Sequence, residues 1–299
     1  MAISITELAE VAPVSPLACC VVSNRWIVAA NGTLSGSVLM PYGSFAVMDA
    51  TTGAAKAYTG LGPIFADAIG SYGSYAWAWN SNGSTLHRID PATGGITYYP
   101  TYPVFSSGGA PMCCAVNGYV VAFSSASNQI KVFNTSTSTC TTYTVSGLTG
   151  CGGRAAVGTD IFVTSTVSGT KAVRRFDPST GTFTAASLGV GAPTASGGGV
   201  TVGDYAYLPN FGAIVRCHTS TMALTSFSHS ATPGGNYASG LTAHSDGNIY
   251  GYSSSDYLIG FDPVTGDFGK AALAPSRTER HEVVSADGKL WIPSGEPFT

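Results

Sequence analysis

The sequence predicts an all-β protein assembled from a repeated unit of about forty residues, and three features of the chain predict that class. Residues 173–183, VRRFDPSTGTF, alternate polar with apolar side chains on both sides of a turn, which is typical of two strands joined tightly. The unit recurs with landmark residues at Asp49, Asp90, Asn134, Asp177, His218 and Asp262. These landmarks are 41, 44, 43, 41 and 44 residues apart. One such unit in each period of this length indicates a β-propeller blade.

The landmark turn has a chemical basis in its residue types. The carboxylate of Asp177 can accept hydrogen bonds from the backbone N–H groups that follow it. Pro178 fixes φ near the value that the turn needs, and Gly181 adopts a left-handed conformation without the penalty of a Cβ atom. The copies around Asn134 and His218 are degenerate versions of the same turn.

Each period also contains an upstream hairpin, and the chain has seven hairpins for six landmark turns. The last period ends after two predicted strands, so residues 2–8 are the natural source of its missing outer strand. The sequence therefore predicts one domain over 1–299, a seven-bladed β-propeller of four-stranded antiparallel blades closed by the N-terminal strand. The expected blades cover about 16–61, 62–107, 108–149, 150–193, 194–235, 236–276, and 277–299 together with 1–15.

Composition excludes several classes of function. Only 10% of the 299 residues are charged and the net charge is −3, so the chain offers no basic surface for nucleic acid. No apolar run approaches the roughly 18 residues of a membrane helix, and we expect no membrane insertion. The seven cysteines lack CxxC or CxxH spacing, which disfavours zinc, and we expect no metal and no cofactor. We expect the cysteines to be small buried thiols, and the alternative is a disulfide bridge between Cys140 and Cys151.

The D-P-x-T-G turn after an alternating strand, as in IDPATG from Ile89 and FDPVTG from Phe261, resembles the repeat of bacterial seven- and eight-bladed propellers. These include the quinoprotein-type, YVTN-type and streptogramin-lyase-like groups, and the Gly-rich segments are distantly similar to kelch blades. The resemblance implies the fold only, because propellers act as enzymes, scaffolds and binding modules. The quinoprotein repeat usually ends in tryptophan, whereas Tyr58, Tyr98 and Phe183 stand there in this chain, so a cofactor-stacking tryptophan site is not expected.

One loop that leads into a first strand concentrates reactive side chains at the expected mouth of the axial channel. Residues 276–282, SRTERHE, contain Arg277, Glu279, Arg280, His281 and Glu282. One interpretation has Glu279, His281 and Glu282 acting on a substrate or holding a divalent cation. Further candidates from other blades are Asp67, Arg154 and His244. The alternative is an Arg/Glu ion-pair network that ties the last blade into the ring.

A tyrosine-rich run, ITYYPTYPVF over residues 96–105, is the strongest binding candidate by composition. Tyr98, Tyr99 and Tyr102 could stack on sugar rings or contact a protein partner, because exposed tyrosines bury a large area at low entropic cost. The alternative is that these rings pack against the next blade. His87, within an outer strand, is expected at the surface.

Two classes of function remain. The first is a non-enzymatic structural or binding propeller, specifically a bacteriophage tail or virion-surface protein that binds structural subunits or a host-surface glycan through the tyrosine run, Arg277 and Arg280. Few ionisable residues and a hydroxyl-rich surface favour it. Because the N-terminus lacks a secretory signal, the expected location is a virion or extracellular surface, or the cytoplasm if the protein is not viral. The second class is a lyase or lactonase with a metal or acid–base site at the axial channel, formed by Glu279, His281 and Glu282.

Overall fold

The computed structural model describes residues 16–31, 44–59, 68–80, 84–101, 105, 111–124, 127–187, 197–210, 213–228, 237–253, 257–272 and 283–292. All regular secondary structure in these ranges is β. Within them, no helix is long and apolar enough to span a membrane.

The strands of the described residues form six sheets of four strands and one sheet of two. Blade one contains β1 (Pro16–Val22), β2 (Trp26–Asn31), β3 (Ser44–Asp49) and β4 (Ala55–Thr59). Blade two contains β5 (Ile69–Tyr72), β6 (Tyr75–Trp79), β7 (Thr85–Ile89) and β8 (Ile96–Pro100). Blade three contains β9 (Pro111–Val116), β10 (Tyr119–Ser124), β11 (Gln129–Asn134) and β12 (Thr139–Thr144). Blade four contains β13 (Leu148–Val157), β14 (Asp160–Val167), β15 (Thr170–Asp177) and β16 (Thr182–Ser187).

The remaining strands complete two further blades and a smaller sheet. Blade five contains β17 (Val200–Val202), β18 (Tyr205–Asn210), β19 (Ala213–His218) and β20 (Leu224–Ser228). Blade six contains β21 (Tyr237–Ala243), β22 (Ile249–Ser253), β23 (Tyr257–Phe261) and β24 (Phe268–Ala272). The C-terminal sheet contains β25 (Val284–Ala286) and β26 (Lys289–Trp291). Each blade runs in chain order with antiparallel neighbours, so the predicted four-stranded antiparallel sheets are confirmed.

Burial changes across each sheet from its middle to its outer strand. In blade three, nearly every residue of β10 and β11 is buried, whereas β12 alternates exposed and partly buried residues. Middle strands are covered on both faces because the neighbouring sheets pack against them, and they are accordingly rich in valine, isoleucine and phenylalanine. The core of the protein is therefore a series of clusters between adjacent sheets.

These clusters connect the sheets one after another. Successive junctions from blade one onward contain Phe45 with Ile69, Trp77 with Val120, Val121 with Ile161, Phe162 with Val215, and Ile214 with Ile259. The C-terminal sheet is linked to blade six by Val283 with Tyr250, and to blade one by Val284 with Ile27. Asp287 N–H also donates to Asn24 O at 3.1 Å. The C-terminal sheet thus contacts both the last and the first blade; the predicted closing strand, residues 2–8, lies outside the described residues.

The landmark turns have one geometry throughout. In blade four, Asp177 Oδ1 accepts a hydrogen bond from Ser179 N–H at 2.8 Å, and Gly181 N–H donates to Asp177 O at 2.8 Å with φ of +75° at Gly181. The degenerate copy keeps this pattern, since His218 Nδ1 accepts from Ser220 N–H at 3.3 Å. The predicted turn chemistry is therefore confirmed, and an imidazole nitrogen can replace the carboxylate.

An aromatic ring from the preceding blade lies against the landmark glycine in three blades. A Cβ atom added to Gly94 would lie 1.9 Å from Tyr58 Cε1, and one added to Gly181 would lie 2.2 Å from Tyr143 Cε1. For Gly266 the distance to Phe227 Cε1 is 3.0 Å. Glycine is therefore required at these turns for two reasons: it adopts the positive φ without strain, and it leaves the space that the aromatic ring occupies.

We expect that replacing Ser138 by glycine stabilises the protein by about 0.5–1 kcal/mol. Ser138 holds the landmark-glycine position of blade three, is exposed, and has φ of +56°, where an L-residue is strained. Urea denaturation of both proteins measures the change. A lower urea midpoint for Ser138→Gly than for the wild type, at an unchanged slope of the transition, would show that the backbone at Ser138 is not strained.

Candidate functional site

Most of the predicted channel-mouth residues lie outside the described part of the chain. These are Asp67, Arg277, Glu279, Arg280, His281 and Glu282. The structure does describe the strand into which residues 276–282 lead. Val283 is buried against Tyr250 and Tyr252 of blade six, and β25 is the first strand of the C-terminal sheet. The chain therefore passes from this segment directly into an inner strand.

Arg154 belongs to the inner strand of blade four and is buried, with 4% of its surface exposed. Its Nε donates to Cys113 O of blade three at 2.7 Å, so the side chain crosses the gap between two blades. A register irregularity between Cys151 and Arg154 in β13 accompanies this position. Arg154 thus fixes the junction of blades three and four.

His244, the other predicted channel residue in the described ranges, contacts the C-terminal sheet. Its Nδ1 lies 3.0 Å from Ser285 Oγ, and its ring meets Tyr250 edge-on at 5.9 Å. Tyr250 Oη donates to Asp246 Oδ2 at 2.6 Å. Burial, together with this hydrogen bond to Asp246, raises the pKa of Tyr250 to about 12. The first turn of blade six thus carries a polar cluster that touches the next sheet.

The two described tyrosines of the predicted binding run face different surroundings. Tyr99 packs between Trp77 at 5.9 Å and Phe133 at 4.9 Å in the cluster that joins blades two and three. Tyr98 is 53% exposed and meets His87 edge-on at 5.2 Å. Tyr102 lies outside the described residues. Ligand binding by this run stays a prediction.

Buried basic side chains in three successive blades were missed by sequence reasoning. His87, Lys131 and Arg174 each stand three residues before a landmark and are almost fully buried. The expectation that His87 lies at the surface is wrong, because its third strand is enclosed between sheets and its Nδ1 meets Ala78 O at 3.2 Å. Burial lowers the pKa of all three groups. In the sequence, a basic residue three positions before a landmark, within the third strand of a blade, could have indicated these buried side chains.

The cysteines are free thiols in the structure, so Cys140 and Cys151 are not bridged. Burial raises the pKa of Cys151 to about 12 and that of Cys114 to about 11, which makes both poor nucleophiles. Within the described ranges no group of three histidine, cysteine, aspartate or glutamate side chains could hold a metal ion.

Comparison with known proteins identifies the fold. No protein-family model and no curated protein matches the chain. A solved streptogramin B lyase is 16% identical, with 95% of this chain and 92% of that chain covered and a TM-score of 0.70. Selenomethionine-substituted virginiamycin B lyase from Staphylococcus aureus is 14% identical, with 94% and 92% covered and a TM-score of 0.71. A catalytically inactive histidine-to-alanine variant of that lyase with quinupristin gives the same values. The chain is a β-propeller.

This identification confirms the resemblance to streptogramin-lyase-like propellers at the level of fold, and it overturns the first functional interpretation. The virion-surface, partner- or glycan-binding propeller is wrong, because the matched structures are lyases and fit the enzyme alternative. Low charge and many hydroxyl groups favoured the virion-surface interpretation. These features describe the turn-rich exterior of the propeller and give no information on the residues of its channel. The expected partners and location stay predictions.

Proposed function

We propose that this propeller is an enzyme of the lyase or lactonase type, acting on a substrate bound at the mouth of its axial channel. The observation that carries the proposal is the match to streptogramin B lyases over 94–95% of the chain at TM-scores of 0.70–0.71. At 14–16% identity the match itself establishes the fold, so the activity depends on the residues that this chain supplies.

Residues 276–282 are the proposed source of the catalytic groups. His281 acts as the general acid or base, because imidazole is the side chain that changes charge near neutral pH. Glu279 and Glu282 orient it, and their carboxylates are also the oxygen ligands that a divalent cation would use. A histidine requirement in the Staphylococcus aureus lyase, whose histidine-to-alanine variant is inactive, supports this assignment.

The proposed site depends on a closed ring, and we propose seven blades with the ranges given by the repeat. The seventh comprises 277–299 and 1–15, with residues 2–8 as its outer strand. Two observations support this closure: the described C-terminal sheet has two strands where the blades have four, and it contacts both blade six and blade one. In this arrangement residues 276–282 lead into an inner strand beside the axis.

Incubation with quinupristin and with simple lactones, followed by mass spectrometry, tests the proposal. We expect ring opening by the wild-type protein, with unchanged mass for elimination or the mass of one added water for hydrolysis. His281→Ala should lower kcat by about 100-fold or more, while Val264→Ala, at a 91% exposed residue in the landmark turn of blade six, should leave kcat unchanged.

Three outcomes would overturn the assignment. They are no turnover of either substrate class, equal turnover by His281→Ala and wild type, or loss of turnover in Val264→Ala alone. Treatment with a chelator, followed by addition of magnesium, separates acid–base chemistry by the protein from chemistry that needs a cation.

A further inference from the structure

The first turn of blade six is longer than the equivalent turn of every other described sheet. Five residues, 244–248, separate the paired residues Ala243 and Ile249. In the other sheets two residues, or three in blade one, separate the paired ends of the first two strands. This longer turn carries two ionisable side chains, His244 and Asp246, and His244 contacts the C-terminal sheet.

His244 of this turn forms a hydrogen bond with a hydroxyl of the neighbouring sheet. His244 Nδ1 lies 3.0 Å from Ser285 Oγ, and both residues are partly exposed. Val284 and Ala286, on either side of Ser285, are buried against blade one, so alternation along β25 directs Ser285 towards blade six. The pair therefore forms where two inner strands meet.

The turn that carries His244 also holds a carboxylate, Asp246. Burial opposes ionisation of Asp246, but hydrogen bonds from Tyr250 and Asn248 outweigh it, and the pKa of this carboxyl lies below its ordinary value. Tyr250 Oη donates to Asp246 Oδ2 at 2.6 Å and Asn248 N–H to Asp246 Oδ1 at 2.9 Å, so the carboxylate is held within the same turn as His244. The edge of Tyr250 against the His244 ring, at 5.9 Å, fixes the orientation of the imidazole.

The backbone of Ser285 supplies a hydrogen-bond donor of the kind that acyl transfer needs. The two-residue turn 287–288 has positive φ at both residues, so its flanking pair Ala286 and Lys289 is the hydrogen-bonded one. Ser285 and Leu290 then form a non-hydrogen-bonded pair, and the N–H of Ser285 points away from β26. Within the described residues β25 pairs only with β26, so this N–H points to the side of the strand that has no ladder partner, where it can stabilise an oxyanion.

We propose that Ser285 and His244 form a second reactive site, an acyl-transfer pair that accepts small activated esters. Ser285 Oγ attacks the ester carbonyl and forms the new C–O bond while its proton passes to His244 Nδ1. The bond to the alkoxide leaving group then breaks, and His244 returns the proton to that oxygen. Water, deprotonated by His244, cleaves the acyl-Ser285 ester and restores the hydroxyl. The proposed pair uses none of residues 276–282 and does not depend on the activity proposed for them.

A fluorophosphonate probe tests the pair directly, because attack by Ser285 Oγ displaces fluoride and leaves a stable phosphonyl ester. Peptide mapping of the wild-type protein should place the label on Ser285. Ser285→Ala should lose it, and His244→Gln, which keeps hydrogen-bonding capacity but lacks a titrating base, should label about 100-fold more slowly. Ser245→Ala, an exposed serine of the same turn, is the matched control and should label like wild type.

Thermal unfolding of each variant shows whether a loss of labelling comes from a loss of the fold. Mapping the label on the wild-type protein requires no variant. His281→Ala should label normally, which distinguishes this site from the channel-mouth site. Absence of label on wild-type Ser285, or equal labelling of His244→Gln and wild type, would overturn the proposal and leave the pair as a contact between sheets.

Discussion

Replacing Gly94 by alanine should destabilise the protein by about 3 kcal/mol, through left-handed strain and overpacking together. Gly94 has φ of +75°, and an added Cβ would lie 1.9 Å from Cε1 and 2.3 Å from Cζ of Tyr58. The ring cannot be tilted away freely, because Tyr58 also stacks on Phe45 at 5.0 Å. Urea denaturation followed by tryptophan fluorescence measures the loss.

Gly53 provides a matched control for this prediction. It occupies the same turn position in blade one with φ of +74°, and no described atom lies within 4 Å of the position of an added Cβ. Gly53→Ala should therefore lose about 1 kcal/mol from backbone strain alone. Equal losses at the two positions would contradict the claim that an aromatic ring from one blade needs the space at the turn of the next.

Truncation of Phe176 to alanine should lower the free energy of unfolding by about 3–5 kcal/mol. Its side chain is fully buried in the junction of blades three and four. Its ring centroid lies 4.9 Å from that of Phe183, 5.6 Å from that of Phe123 and 6.3 Å from that of Tyr143, so the variant leaves a cavity lined by three further rings. Denaturation of the purified variant measures the loss.

The control for Phe176 is Val264→Ala in the landmark turn of blade six. Val264 is 91% exposed, so its truncation should change stability by no more than about 0.5 kcal/mol. If Phe176→Ala fell within the same range, the cluster between these blades would not be the stabilising core described above.

The sequence predicts the repeat well because the turn chemistry is local. Asp177 and Gly181 lie within one short segment, so their residue types alone specify the hydrogen bonds and the positive φ that the structure contains. Packing between blades is not local. The pairing of Tyr58 with Gly94 and the burial of His87 depend on how one sheet lies on the next, which the period of the repeat leaves open.

The candidate site was predicted less completely than the fold, for a related reason. His244 was recognised as a channel candidate, but its partner Ser285 has no distinguishing motif and is 41 residues away. The function was the part that the sequence predicted least well. Low charge favoured a display protein, yet surface composition and channel chemistry are independent in a propeller, and the matched lyases support the enzyme alternative.

A crystal structure of the protein soaked with quinupristin is the most direct test of the proposed function. We expect ligand density at the channel mouth, in contact with His281 and with Glu279 or Glu282, beside the inner strand that begins at Val284. An empty channel with the compound bound on an outer strand, for example against Tyr98, would contradict it.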